Sequence, residues 1–378
     1  MEYLPRNLDV LDGSGDLEHL HTFTNFPVYM GVESQQRDDD LLADMRWVIS
    51  RSTGVIQLDP TLPLEIVYAR SHGSGSVGGL WEQHHREFAS FVARQAPTSV
   101  LEIGGGHGKL ATYVSKVRNV DWTIIEPNPS PIEGCPARVI DGFFEADIMS
   151  EDRFDTVVHS HVFEHIYQPG QFCSDIGRGL REGGRVIFSV PNMGEMLRRS
   201  YTNCLNFEHT FLLREEYVES LMKQSGFALV EKEYFCEDHS IFFCYRRQTD
   251  LDLSAEIPNL YAQNRQLFQS YLGLHRELVQ SINLELGSSR SRAFLFGAHV
   301  FAQYLFAFGL KQELFDSILD NDGRKWGGRL SGSSLIVKSP EALANHDRPI
   351  VVLKAGVYND EIRNQITSTI NSEAIFIS

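Results

Sequence analysis

Basic residues are scarce in this chain of 378 residues: 34 Lys and Arg stand against 50 Asp and Glu, a formal net charge of −16. Such a balance repels a phosphate backbone and argues against a nucleic-acid partner. Cysteine is scarcer still. The five, Cys135, Cys173, Cys204, Cys236 and Cys244, fall at no metal-ligand or redox spacing. Their odd number speaks against a disulfide framework and for a reducing compartment. No run approaches the roughly 18–20 apolar residues that span a bilayer. The first twenty residues carry acids where a secretion signal needs a basic flank and an apolar stretch, so the expectation is a cytoplasmic protein with no membrane partner. At 42% hydrophobic and 22% charged residues the chain is globular, and its length predicts two or three packed units.

What is present is βα punctuation, in two blocks. Residues 80–97 place Leu80, Trp81, His84, Phe88, Phe91 and Val92 near one helical face, and Pro97 ends the pattern. Apolar runs at 99–103, 122–126, 157–160 and 185–190, separated by a glycine-rich turn and helical stretches, predict a doubly wound parallel sheet. A second, smaller α/β block runs from AFLFG at 293–297 to AIFIS at the end. The predicted division is a mixed amino-terminal lobe over 1–75, an α/β domain over 76–248, a helical connector over 249–290 and a carboxy-terminal Rossmann-like domain over 291–378. The runs Asp38-Asp39-Asp40 and Arg246-Arg247 read as solvated or boundary residues.

The turn Gly104-Gly105-Gly106-His107-Gly108 follows the first strand, where only glycine lets a ligand approach the backbone closely. Glu126 ends the next strand, the position from which a carboxylate accepts both hydroxyls of an adenosine ribose. Glu102, two residues before the first glycine, would repel a pyrophosphate but suits a cationic ligand, which argues against a nicotinamide-dependent oxidoreductase. Glu102-Ile103-Gly104-Gly105-Gly106-His107-Gly108 resembles the first motif of class I S-adenosylmethionine-dependent methyltransferases, and the likeness continues over about residues 80–245. It implies S-adenosylmethionine as cofactor, bound by Glu102, Gly104, Gly106, Gly108 and Glu126. It also implies Phe143 near the adenine and His161 and Val162 at the methionine end, with His165 behind them.

The fold leaves the methyl acceptor open. Asn206-Phe207-Glu208-His209 follows the fifth strand, and a His with a neighbouring carboxylate can accept a proton near neutral pH. Adjacent residues share a site only where the chain turns, since on a strand they point oppositely. With the stretches 52–76, 293–305, 318–332 and 338–343, this segment resembles the three-part sugar-nucleotide 3-C-methyltransferases, whose core motif looks like Y-H-E-H. The resemblance implies a nucleotide-linked sugar or similar small molecule as partner, His209 as base with Glu208 beside it, and His72 and Asn206 toward the acceptor; Tyr358 and Asn359, in a loop after the strand ending near Lys354, are candidates to touch the distal part of a bulky substrate. Where that family binds a structural zinc through cysteines in its front lobe, this chain has no cysteine before Cys135, and no metal is expected. Two further readings stay open: methylation of oxygen or nitrogen on a sugar or small metabolite, and a donor-binding protein impaired in catalysis. Gly297-Ala298-His299-Val300-Phe301-Ala302 reads as a packed strand-to-helix turn, not a second dinucleotide site.

Overall fold

The computed structural model describes residues 3–34, 40–69, 79–149, 154–237, 239–289, 291–354 and 359–377. Two compact units emerge, each assembled from separated stretches: 1–19, 47–196 and 207–265 form the first, and 20–46, 197–206 and 266–378 the second.

Four strands precede the main sheet: β1 (Leu17–Pro27), β2 (Val32–Glu33), β3 (Leu42–Ser50) and β4 (Ile56–Leu58). In the first unit, β3 pairs with β4 antiparallel, Trp47 opposite Leu58 and Ile49 opposite Ile56. A short helix α1 (Leu64–Val67) follows, then the long α2 (Gly79–Arg94). The main sheet holds β5 (Ser99–Ile103), β6 (Asp121–Glu126), β7 (Arg138–Asp141), β8 (Thr156–Ser160), β9 (Arg185–Pro191), β10 (Phe227–Phe235) and β11 (Ser240–Arg247), in the order β10-β11-β9-β8-β5-β6-β7. Its interior strands are apolar almost throughout because helices cover both faces. Thus Val100, Leu101, Val157, Val158, Ile187 and Phe188 are all fully buried.

The order reverses at β5, which pairs parallel with β6 on one side and β8 on the other. A crevice at the carboxyl ends of the strands opens at such a switch point. The turns leaving β5 and β8 therefore face the place where a ligand is expected. Helix α3 (Lys109–Ser115) starts from Gly108, whose φ of 67° is a left-handed conformation suited to glycine. Phe88, Phe91 and Val92 of α2 pack with Leu110, Val114, Trp122, Ile124, Val158 and Phe242 in one core cluster. The hairpin β10–β11 is antiparallel, and β11 pairs antiparallel with β9, so the expected parallel sheet gains an antiparallel edge that the sequence reading had left unassigned.

Helices α4 (Pro169–Gly179), α5 (Met193–Arg198) and α6 (Glu215–Gln224) complete this stretch of chain. The helical connector is a single helix, α7 (Tyr261–Ser288). In the second unit, β12 (Ala293–Phe296), helix α8 (Val300–Ala307), β13 (Phe315–Leu319), β14 (Arg329–Leu330), β15 (Val337–Lys338), β16 (Ile350–Leu353), helix α9 (Asn359–Gln365) and β17 (Ile375–Ile377) follow in order. Five of these strands form a wholly parallel sheet, β15-β13-β12-β16-β17. Between β12 and α8, Ala298 donates its backbone N–H to Asp320, whose carboxylate also takes Lys325 Nζ at 2.8 Å. An acid already neutralised by a lysine and engaged with the turn agrees with a packed junction.

The acidic run at 38–40 needs correction at its last residue. Asp40 is bound by both guanidinium nitrogens of Arg329, at 2.6 and 2.7 Å, and accepts the Gly332 N–H at 2.8 Å. It is a buried ion pair within the second unit, with both side chains under one-tenth exposed. Asp38 and Asp39 lie outside the described residues.

Candidate functional site

The glycine turn is shaped from beneath. Gly104, Gly106 and Gly108 have φ of 74°, 46° and 67°, conformations that strain any residue with a Cβ. A Cβ on Gly104 would stand 2.6 Å from Val162 Cγ2, so the turns leaving β5 and β8 touch at this point. A Cβ on Gly105 would meet Ile124 and the Glu102 carboxyl, whereas one on Gly106 would enter open space. The free face of the turn is therefore at Gly106, the side from which a ligand can reach the backbone.

Two carboxylates flank that turn, and their environments differ. Glu102 is buried within β5 and accepts a hydrogen bond from Trp122 Nε1 at 2.7 Å. Burial pushes its carboxyl up to about 7; the Trp122 bond works against the rise and the Glu126 charge adds to it. Glu126 sits at the end of β6 with Oε2 accepting the Gly106 N–H at 3.2 Å and Oε1 accepting the Asn128 N–H at 3.1 Å. Its geometry is thus fixed by the turn and by its own chain. Phe143 is 44% exposed, with its ring 6.3 Å from that of Tyr68.

Beyond β8 the chain bends sharply. His161 has φ of 54°, and its Nε2 lies 2.9 Å from Ser240 Oγ while Nδ1 lies 3.5 Å from Glu164 Oε1. Glu164 is fully buried, and its oxygens find no hydrogen-bond donor among the described residues. Burial opposes its ionisation, yet contact with His161 and the charges of His165, His161 and His209 outweigh that cost and bring its carboxyl down to about 2. His165 Nε2 is 3.7 Å from Glu164, and its Nδ1 is 2.9 Å from the Tyr68 hydroxyl and 3.8 Å from Glu208 Oε2. Burial and the neighbouring carboxylates hold that tyrosine in its protonated form.

The acceptor segment meets the same residues. The chain bends at 206–208 and continues without regular structure to 210, which lets Glu208 and His209 both approach His165. The His209 ring is 5.0 Å from the His165 ring, nearly perpendicular to it. Glu164, His165 and His209 each place one potential ligand or proton-transfer atom within 4.8 Å of the others. Arg6 fastens this corner, donating to the carbonyls of Thr210 at 3.0 Å and Tyr167 at 2.8 Å. Burial lowers its guanidinium to about 10, partly offset by Tyr167 and Asp59.

The structure therefore brings Glu102, Gly104, Gly106, Gly108, Glu126 and Val162 around one turn, and groups Glu208 and His209 with His165. Asn206 is buried and belongs to the second unit, as does half-buried Asn359 at the start of α9. His72 and Tyr358 lie outside the described residues. Sequence reasoning missed Glu164 and Tyr68. The adjacent Glu164-His165 pair was a usable signal, since it repeats the Glu208-His209 pair, whereas Tyr68 had none. His84, on the apolar face of α2, is fully buried beside His161 and His239.

Residues 80–232 match a family described as a methyltransferase domain. An uncharacterized methyltransferase of Mycobacterium bovis is 28% identical over 156 residues, which is 39% of this chain and 55% of that protein. One from Mycolicibacterium vanbaalenii is 29% identical over 120 residues, 30% of this chain and 44% of that protein. The chain thus spans about half the length of these curated relatives. A solved magnesium protoporphyrin IX methyltransferase from Synechocystis is similar at 13% identity and a TM-score of 0.36, covering 48% of this chain and 93% of that one. The stretch 80–232 is a class I S-adenosylmethionine-dependent methyltransferase domain. No helix among the described residues is long and apolar enough to cross a membrane.

Proposed function

We propose that this protein methylates a sugar or sugar-nucleotide-like small molecule with S-adenosylmethionine, by forming a carbon–carbon bond next to a carbonyl, with His209 as the base. The observation that carries the acceptor side is the convergence of His209 and Glu208 on His165 above the buried Glu164. The donor supplies a methyl group on a positively charged sulfur, already a good leaving group. Residues 76–248 would hold it, with the Gly106 face of the turn open to it, Glu126 toward the ribose hydroxyls, Phe143 against the adenine, and Glu102 beneath its positive charge.

The acceptor must lose the hydrogen next to its carbonyl. His209 would take that proton, with Glu208 and His165 beside it. General-base assistance of this kind is worth about 10²–10⁴-fold, and positioning supplies more. His72, Asn206, Tyr358 and Asn359 would contact the acceptor. The same imidazole could deprotonate a hydroxyl, so oxygen or nitrogen methylation remains the second reading. A donor-binding protein without turnover is the third.

Incubation with methyl-labelled donor and a panel of nucleotide-linked keto sugars, with the new bond identified in the product, tests the proposal. His209→Ala is expected to abolish transfer while leaving donor affinity within about twofold. Label appearing on oxygen or nitrogen would refute carbon methylation. No transfer to any member of the panel despite tight donor binding would favour the non-catalytic reading.

A further inference from the structure

We propose a second, previously unassigned site in the methyltransferase unit: a transition-metal site, best matched by zinc(II), formed by His84, His161 and His239. The three come from separate elements. His84 lies on α2, His161 just beyond β8 and His239 just before β11, and each presents a ring nitrogen within 4.8 Å of the other two. The ring centroids lie 5.3, 5.4 and 6.0 Å apart. Tetrahedral zinc bonded to nitrogen at about 2.0–2.1 Å needs donors roughly 3.3 Å apart, so metal entry would draw the imidazoles inward by an ångström or so.

Three observations point to a cation and not to chance packing. The first is an outer partner of the right kind: His161 Nδ1 faces the buried carboxyl group of Glu164 at 3.5 Å. A carboxylate facing one nitrogen of an imidazole favours the proton there and leaves the opposite nitrogen as the donor atom, here Nε2, which lies 2.9 Å from a Ser240 Oγ that also lies 2.7 Å from His239 Nδ1. The second is an unsatisfied group. His84 is completely buried, Nε2 is 2.9 Å from Ser189 Oγ, and Nδ1 has no hydrogen-bond partner among the described residues. Burying an unpaired polar atom is costly, and ligation through this ring would satisfy it. The third is the wall. Trp81 lies 4.8–5.3 Å from all three imidazoles, and Phe235 and Phe242 close on His84, so that aromatic rings line this side of the cluster.

Three neutral imidazoles leave an open fourth position, filled in such sites by water. Imidazole ligation suits zinc, copper, iron and nickel, and the absence of carboxylates in the inner set disfavours magnesium and calcium.

Full-length protein stripped by a chelator is to be titrated with zinc(II) alone by calorimetry and with cobalt(II) alone by visible absorption. The expected result is one ion per chain and the intense absorption of four-coordinate cobalt. His239→Ala, at the least buried of the three positions besides His161, should weaken zinc binding by more than the 10–100-fold typical of losing an outer partner, and Glu164→Gln by about that 10–100-fold. His209→Ala, in the neighbouring Glu164-His165-His209 group, should leave the stoichiometry and the cobalt spectrum unchanged. Absence of stoichiometric binding to the stripped wild type overturns the proposal. So does binding that survives His239→Ala, or that His209→Ala abolishes.

Discussion

The proton on Glu102 should make donor binding depend on pH in a way that can be computed. With its carboxyl at about 7 in the free protein, this side chain is almost fully protonated at pH 5.5 and half protonated at pH 7.0. A cationic donor selects the ionised form, so the association constant scales with the ionised fraction. That predicts about 16-fold tighter binding at pH 7.0 than at pH 5.5, with about one proton released per donor at the lower pH and about half a proton at the upper. The window stays below the range in which the donor's own amino group titrates, about 7.7–8.0. Calorimetric titration with S-adenosylmethionine at four pH values, in paired buffers of unlike ionisation heat, measures affinity and proton release together. Glu102→Gln should bind more weakly at pH 7.0 and lose the slope. A flat wild-type profile, or a slope that persists in Glu102→Gln, refutes the reasoning.

Further consequences can be checked independently. An acid raised from 4.5 to about 7 on folding destabilises the native state progressively as pH climbs through that interval, with the effect constant above it; Glu102→Gln should therefore stabilise the donor-free protein at pH 8 by about 3 kcal/mol in denaturant unfolding. Gly106→Ala meets nothing in the free protein and should cost only about 1 kcal/mol of stability through its positive φ, while donor affinity measured by calorimetry falls at least tenfold. Gly104→Ala should destabilise further because its Cβ meets Val162, and Val162→Ala in the same chain should recover part of that loss in thermal unfolding. Phe91→Ala, in the core cluster beneath the main sheet, should cost about 3–5 kcal/mol in urea unfolding. Asp40→Ala leaves the Arg329 guanidinium buried without its carboxylate and should cost a similar 3–5 kcal/mol.

The glycine turn and the strands around it were legible because their signal is local. A buried parallel strand must be apolar on both faces, and a turn at left-handed φ must use glycine, so SVLEI followed by GGGHG could hardly be placed elsewhere. The strands at 293–296 and 350–353 could be read for the same reason. The hairpin of β10 and β11 was not, because β10 is half exposed and its alternation is broken by a register shift between Leu229 and Glu231. Side chains that meet only through the fold left still less trace. Tyr68 reaches His165 across 97 residues, His84 reaches Ser189 across 105, and Asp40 reaches Arg329 across 289, and no spacing rule connects such pairs.

The first ten residues illustrate how far such ties extend. Leu4 exchanges backbone hydrogen bonds with Thr61, Val10 donates to the Gln57 side chain, Gln57 forms a bridge with Phe211, and Arg6 grips the carbonyls of Thr210 and Tyr167. The amino-terminal strand of chain thus acts as a latch on the loop bearing Glu208 and His209. Trimming it would leave the nucleoside half of the cleft whole yet set the proton-accepting half adrift, so that ligand affinity and turnover would part company in a shortened protein.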